Sequence, residues 1–99
     1  EGGASLTKMP GGLAWRERYE KAFPGQFQIY SPYTYDATML IVDAMKRANS
    51  ADPKVYLAQL AASDYAGVTS KISFDETGDM KNAPSTLYQY VDGKKKAMD

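Results

Sequence analysis

The chain contains no cysteine and no histidine among its 99 residues. Without cysteine it forms no disulfide and offers neither a thiol nucleophile nor a thiolate metal ligand. Without histidine it lacks the side chain that most often serves as general base and metal ligand. These absences exclude the commonest catalytic and metal-binding arrangements. They neither support nor exclude an oxidising compartment.

Net charge and long apolar runs are missing as well. The 12 basic and 12 acidic residues cancel, so the chain has no electrostatic footprint for nucleic acid. Its one lysine run, Lys94 to Lys96, fits a solvated hairpin end better than a nucleic-acid patch. No apolar run approaches the roughly 18 residues of a membrane span. A free-standing domain of this length buries only roughly 60 % of its unfolded surface and is marginally stable.

Residues 30–48 form the strongest local pattern, an aromatic-rich start followed by a long predicted helix. Ser31 is suited to accept hydrogen bonds from first-turn amides, and Pro32 suits the first helical position. Asp43 and Arg47 form an i, i+4 pair on the outer face. Apolar residues recur at helical spacing and predict one core-facing stripe: Ala37, Leu40, Ile41, Ala44, Met45 and Ala48.

Two further helices are predicted on either side of the long one. The first spans 13–23 and ends at Pro24-Gly25, with its inner face formed by Trp15, Tyr19, Ala22 and Phe23. The second begins at Asp52-Pro53 after a stop at Asn49-Ser50, with its inner face formed by Tyr56, Leu57, Leu60 and Ala61. Between the first helix and the long one, residues 26–29 have a short strand-like alternation.

After Gly67 the apolar period changes from 3.6 to 2, which predicts β structure. A strand is expected over 67–74, followed by a turn at 75–79 in which Gly78 has positive φ. A second strand is expected over 87–91, and Asp92-Gly93 predicts a hairpin turn. Helices followed by strands would give an α+β fold if the chain were a complete domain.

Several segments together resemble the C-terminal part of periplasmic substrate-binding proteins of the Leu/Ile/Val type. They are MPGG at 9–12, WRERYEKAF at 15–23, residues 30–48, ANSADP at 48–53 and YAGVTSKISFDETGD at 65–79. Family members are several times longer, and the chain starts at Glu1 instead of a methionine, which fits processing or truncation. No signal peptide is visible, but with the N-terminus missing this is uninformative. The resemblance implies an α/β fold, the last portion of a two-lobed type I binding protein. It assigns 1–66 mainly to first-lobe helices, 67–74 to a hinge-crossing strand and 84–99 to a second-lobe hairpin.

The function implied by this resemblance is binding. The lack of histidine and cysteine, together with carboxylates that look solvated, predicts no enzyme activity, no cofactor and no metal. The parent protein would be the periplasmic receptor of an ABC importer that closes over a branched-chain amino acid or a related small carboxylate and then docks on the membrane permease. Alternatives are the sensory domain of a receptor and a small non-catalytic interaction domain. A chain cut off from its parent is expected to self-associate through exposed apolar faces and strand edges.

The resemblance places Tyr30 at the ligand cleft, where its ring would contact the ligand's side chain; the alternative is a packed core tyrosine. Ser31 is a candidate donor to a carboxylate at the helix N-terminus, or simply a capping residue. Tyr33 is the third candidate. Because residues two apart on a helix face different ways, at most one of Tyr33 and Tyr35 shares the cleft with Tyr30.

Two carboxylate pairs are also candidates for chemistry. Asp36 and Asp43, seven residues apart, share a helix face, but both point away from the predicted apolar stripe. A solvated face is therefore favoured over a general acid–base pair. Asp75 and Asp79 resemble part of a calcium loop but lack the EF-hand spacing, so a β-turn is favoured.

Overall fold

The computed structural model describes residues 1–99 and contains three helices followed by two β-hairpins. A short 3₁₀ turn, Leu6–Lys8, comes before α1, Gly12–Ala22. The long helix α2 spans Ser31–Ala48, and α3 spans Pro53–Ala61. The strands are β1, Asp64–Ala66; β2, Lys71–Ser73; β3, Tyr88–Val91; and β4, Lys94–Ala97. The predicted order of helices and then β structure is confirmed.

Local sequence signals set most helix ends. Pro32 lies in the first turn of α2, and Asn49 ends the helix with a left-handed backbone at φ 52°. The N-terminus of α3 is capped by Asp52, whose side chain accepts a hydrogen bond from the Lys54 N–H at 3.0 Å, with Pro53 as the first helical residue. These stop and start predictions are confirmed because each depends only on neighbouring residues.

Two predictions for the segment before α2 are wrong. Residues 26–29 form no strand, because the chain turns there and the Ser31 N–H donates to the Gln28 carbonyl at 3.0 Å. Ser31 also does not cap the helix. Its hydroxyl instead accepts the Gln28 N–H at 2.9 Å, while Tyr30 occupies the cap position without a side-chain bond. The serine thus stabilises the preceding turn.

The buried edge of α2 differs from the predicted stripe. It follows i, i+4 steps and consists of Pro32, Asp36, Leu40 and Ala44. Of the predicted stripe only Leu40 and Ala44 are buried, while Ala37 and Ile41 are exposed. The helix is rotated relative to the prediction because its neighbours are α3 on one side and the turn after β1 on the other.

The predicted inner face of α3 is only partly correct. Tyr56 and Leu60 are half-buried, but Leu57 is 62 % exposed and Ala61 is exposed too. Within this chain α3 packs against α2, so one narrow side of the helix is covered.

The first hairpin is shorter than the strand predicted over 67–74. Strands β1 and β2 pair antiparallel, with Tyr65 opposite Ile72. Residues 67–70 form the connecting turn, closed by a 2.9 Å bond from the Gly67 N–H to the Ser70 carbonyl. The alternation of apolar residues in the sequence therefore continues through this turn. The N–H groups of Val68 and Thr69 in the turn bond to Asp36 of α2 and not to a neighbouring strand. Gly78 has positive φ in the following turn, as predicted.

The second hairpin forms around Asp92 and Gly93, both with positive φ, as predicted from the sequence. The segment before β3 pairs with the N-terminal residues. The Gly3 N–H donates to the Pro84 carbonyl, and the Thr86 N–H donates to the Glu1 carbonyl, both at 2.8 Å. This hairpin is thus joined to the first three residues. No helix of the structure has the length and apolar character needed to span a membrane.

Candidate functional site

Tyr30 lies immediately before α2 and is 70 % exposed. Its ring stands between two concave regions of the surface. The turn at residues 28–31 holds it there, because Ser31 bonds back to Gln28 through both its backbone and its hydroxyl. An exposed aromatic side chain held beside cavities is the arrangement expected of a ligand contact.

The first region, the junction cavity, has a volume of about 720 Å³. It lies where the helices, the N-terminal segment and the final hairpin meet. The residues that matter most for its chemistry are Arg16, Phe27, Tyr30, Tyr33, Tyr88 and Lys95. The cavity therefore combines aromatic walls with two cations.

Tyr33 is half-buried in the wall of the junction cavity. Its hydroxyl donates to the Ala4 carbonyl at 3.4 Å. Its ring lies against Gly3, where an added Cβ would be 2.7 Å from the Tyr33 Cζ, and Gly3 has φ +99°. Burial, and then the charges of Tyr88 and Asp36, raise the pKa of the Tyr33 phenol. Its single hydroxyl hydrogen is donated to the Ala4 carbonyl, so Tyr33 offers the cavity its ring and its phenol oxygen.

The two cations of the junction cavity are each placed over an aromatic ring. The Arg16 guanidinium lies 4.5 Å from the Phe27 ring centroid, and the Lys95 ammonium lies 4.3 Å from that of Tyr88. Lys95 also forms an ion pair with Glu1. That hydrogen-bonded pair raises the pKa of Lys95 and lowers the pKa of Glu1. Because Glu1 neutralises Lys95 and Arg16 takes part in none of the chain's ion pairs, a small carboxylate approaching this cavity would meet the charge of Arg16 beside apolar surface.

The second region, the aromatic groove, has a volume of about 640 Å³ and lies between α1 and the start of α2. Trp15 stacks on Tyr19 with ring centroids 4.8 Å apart, and Tyr35 lies 5.5 Å from Trp15. Tyr30 and Ser31 also line this groove. Trp15 itself is buried, so its ring belongs to the packing of the groove floor.

The structure brings together only part of the predicted site. Tyr30 borders both regions, Tyr33 lines the junction cavity, and Ser31 lines the aromatic groove. Tyr33 and Tyr35 face different regions, as their spacing along the helix predicts. The Ser31 hydroxyl already accepts the Gln28 N–H.

One residue that sequence reasoning assigned to solvent is buried. Asp36 is 2 % exposed and accepts hydrogen bonds from the Val68 N–H at 3.0 Å, the Thr69 N–H at 2.9 Å and the Thr69 hydroxyl at 2.5 Å. The prediction that these carboxylates face solvent is wrong for Asp36. It holds for Asp43, which pairs with Arg47 at 2.9 Å on the helix surface. The available signal was the i, i+4 spacing from Asp36 to Leu40 and Ala44.

The acidic turn at 75–79 uses its oxygens to hold its own backbone. Asp75 accepts from the Thr77 N–H at 2.9 Å, the Thr77 hydroxyl at 2.7 Å and the Asp79 N–H at 3.0 Å. The bond from the Thr77 hydroxyl is the main reason that the pKa of Asp75 lies below its ordinary value. The structure contains no group of three or more acidic side chains arranged to hold a metal ion.

Comparisons with known proteins agree with this architecture. A family model described as periplasmic binding protein matches residues 5–95. The leucine-, isoleucine-, valine-, threonine- and alanine-binding protein of Pseudomonas aeruginosa is 34 % identical over 56 residues, which are 57 % of this chain and 15 % of that protein.

The fold resembles that of a leucine-binding protein, LivK, from Thermotoga maritima MSB8. The TM-score is 0.77 at 20 % identity, and the match covers 97 % of this chain and 28 % of that one. The chain thus spans only a minor part of the length of either relative, and both are named as binding proteins, not enzymes. The match over 5–95 confirms the resemblance: this chain belongs to the periplasmic binding protein family.

Proposed function

We propose that the chain is the C-terminal portion of the periplasmic solute-binding component of an ABC importer. The intact protein binds a branched-chain amino acid or a related small carboxylate in a cleft between two lobes. The observation that carries this proposal is the junction cavity, because it combines Tyr30 and Tyr33 with two cations at the meeting point of the helices and the final hairpin.

The chemistry of the cavity suits such a ligand. Aromatic rings offer apolar contact to an aliphatic side chain, and the exposed Tyr30 can offer its hydroxyl to polar groups. Arg16 provides positive charge near the path of a carboxylate, whereas the charge of Lys95 is paired with Glu1. By resemblance, the main groups for the α-amino and α-carboxylate lie in segments outside this chain, so Tyr30 and Tyr33 contribute one wall of the cleft.

Binding is coupled to closure of the lobes in this proposal. The ligand stabilises the closed form because it contacts both lobes only when they meet, and the closed form docks on the permease. The helices of 1–66 belong to the first lobe, 67–74 lead across the hinge and 84–99 belong to the second. The pairing of Glu1 and Gly3 with residues 84–86 supports grouping the first three residues with this second-lobe portion.

The test is calorimetric titration of the full-length protein that carries this chain. L-leucine, L-isoleucine and L-valine are titrated separately, with glucose as the uncharged polar control. We expect saturable one-to-one binding of at least one amino acid, with a negative heat-capacity change from apolar burial. Binding of glucose but of no amino acid would contradict the proposal.

The isolated 99-residue chain is proposed to self-associate. Large apolar side chains are exposed on α2 and α3, including Ile41, Val42, Val55 and Leu57. Both sheets have only two strands, so strand edges are unpaired. We expect light scattering of the isolated chain to give a dimer or larger assembly. A stable monomer of 10.9 kDa at high concentration would contradict this expectation.

A further inference from the structure

The buried carboxylate of Asp36 joins three parts of the fold. It accepts the N–H groups of Val68 and Thr69, in the turn between β1 and β2. The same turn is held from the other side, because the Gly11 N–H, just before α1, donates to the Val68 carbonyl at 3.0 Å. Val68 is therefore bonded to α2 through its N–H and to the start of α1 through its carbonyl.

Close approach to Gly67 makes this contact rigid. A Cβ at Gly67 would lie 2.8 Å from the Asp36 Cγ, so the turn backbone lies directly against the carboxylate. None of the chain's ion pairs involves Asp36. Its charge is compensated by the three hydrogen bonds, whose directions fix where the carboxylate sits.

The position of Asp36 along α2 links it to the candidate site. Asp36 follows Tyr33 by three residues and the fully buried Pro32 by four, so the three lie along one side of the helix. Holding Asp36 therefore fixes the rotation and axial position of the first turns of α2. Tyr30 and Tyr33 project from those turns into the junction cavity.

We propose that Asp36 is a positioning residue of the ligand site, because its bonds to Val68 and Thr69 set the orientation of Tyr30 and Tyr33. This inference rests on the proposed function. An apolar residue at 36 would fill the same space but leave the amides of 68 and 69 without an acceptor. It would also permit small rotations of α2 that directional bonds prevent.

The experiment compares variants of the full-length protein by calorimetry with L-leucine, under conditions in which each is fully folded. Asp36→Asn replaces one acceptor oxygen with an NH2 group, which then faces the N–H donors of Val68 and Thr69. Thr69→Val removes only the hydroxyl that donates to Asp36. Thr69→Ser is the conservative variant. Asp43→Asn removes the exposed carboxylate of the same helix. Leu40→Ala destabilises the same buried edge, one turn further along α2, without removing any of the hydrogen bonds between Asp36 and residues 68 and 69.

We expect Asp36→Asn to weaken leucine affinity about tenfold or more, since a loss of about 1.4 kcal/mol in the contacts of Tyr30 and Tyr33 with the ligand corresponds to a factor of ten. Thr69→Val should weaken it severalfold. The leucine affinity of Thr69→Ser, Asp43→Asn and Leu40→Ala should stay within about twofold of the wild type, because each keeps the hydrogen bonds between Asp36 and the turn. The inference is overturned if Asp36→Asn and Thr69→Val keep wild-type affinity. It is equally overturned if Leu40→Ala loses affinity in parallel with them, because Asp36 then acts only through stability.

A separate readout distinguishes failure of this inference from failure of the proposed function. If the wild type binds none of the amino acids, the proposed function has failed, and the ring resonances of Tyr30 and Tyr33 in the ligand-free protein decide the positioning role. Movement of both rings in Thr69→Val but not in Leu40→Ala supports that role. Rings that stay in place in Thr69→Val refute it.

Discussion

Replacing Gly67 with alanine tests the contact between α2 and the turn after β1. The new Cβ would lie 2.8 Å from the Asp36 Cγ and 3.0 Å from its Oδ1, closer than such atoms approach without displacement. The carboxylate cannot simply move away, because three hydrogen bonds from Val68 and Thr69 hold it. Either the turn shifts or one of those bonds breaks.

The expected cost follows from these alternatives. Overpacking of a well-packed site costs about 1–3 kcal/mol, and a buried donor left without an acceptor costs about 1–3 kcal/mol. Replacing glycine also restricts the unfolded chain, which offsets about 0.4–1 kcal/mol. We therefore expect Gly67→Ala to lower the free energy of unfolding by about 1–3 kcal/mol.

Urea denaturation of the full-length protein measures this change, read from the midpoint at constant slope. Gly2→Ala is the matched control, since nothing lies within 4 Å of its added Cβ, and we expect a change below about 0.5 kcal/mol. In the double variant Gly67→Ala, Asp36→Ala the clash is relieved, so the loss should be smaller than the sum of the single losses by about 1–3 kcal/mol. Strict additivity of the two changes would refute the proposed contact.

Three further predictions concern other parts of the chain. Trp15→Ala should destabilise the full-length protein by about 3–5 kcal/mol in chemical denaturation, because Trp15 is buried among aromatic rings, whereas the exposed Leu13→Ala should change little. Because the pKa of Asp75 is lowered in the folded protein, this carboxylate contributes stability at pH values above its ordinary pKa of 3.8, and the contribution is lost as the pH falls through the lower folded pKa. Thr77→Ala should return the pKa of Asp75 towards 3.8 in a carboxyl-carbon NMR titration. Gly93→Ala should lower the free energy of unfolding by about 1–2 kcal/mol, measured in urea, because Gly93 has φ 76° in the hairpin turn.

Sequence reasoning succeeded where a structure depends on adjacent residues. The cap and proline at Asp52-Pro53, the left-handed stop at Asn49 and the Asp92-Gly93 turn each follow from local conformational preference. The predicted strand over 26–29 failed because alternation alone does not provide a partner strand. The chain instead turns there, and Ser31 bonds to Gln28.

The candidate site was predictable only in part, because part of it depends on contacts between residues far apart in the sequence. The placement of Tyr30 beside a cavity was expected from the family resemblance together with its position at the start of a long helix. Helical spacing put Asp36 in line with Leu40 and Ala44, but the burial of a carboxylate could not be predicted without its hydrogen-bond partners Val68 and Thr69, which lie 32 and 33 residues later in the chain. The cations of the junction cavity also come from distant segments, with Lys95 arriving on the last hairpin.

The most direct test of the proposed cleft is the leucine affinity of the full-length Tyr30→Ala variant, measured by calorimetry beside Tyr90→Ala. The two tyrosines are similarly exposed, at 70 % and 74 %, but Tyr90 lines neither the junction cavity nor the aromatic groove. Loss of an aromatic contact worth about 1.5–3 kcal/mol should weaken binding about 10- to 100-fold in Tyr30→Ala and leave Tyr90→Ala unchanged. Wild-type affinity in a stably folded Tyr30→Ala protein would contradict the placement of Tyr30 in the ligand cleft.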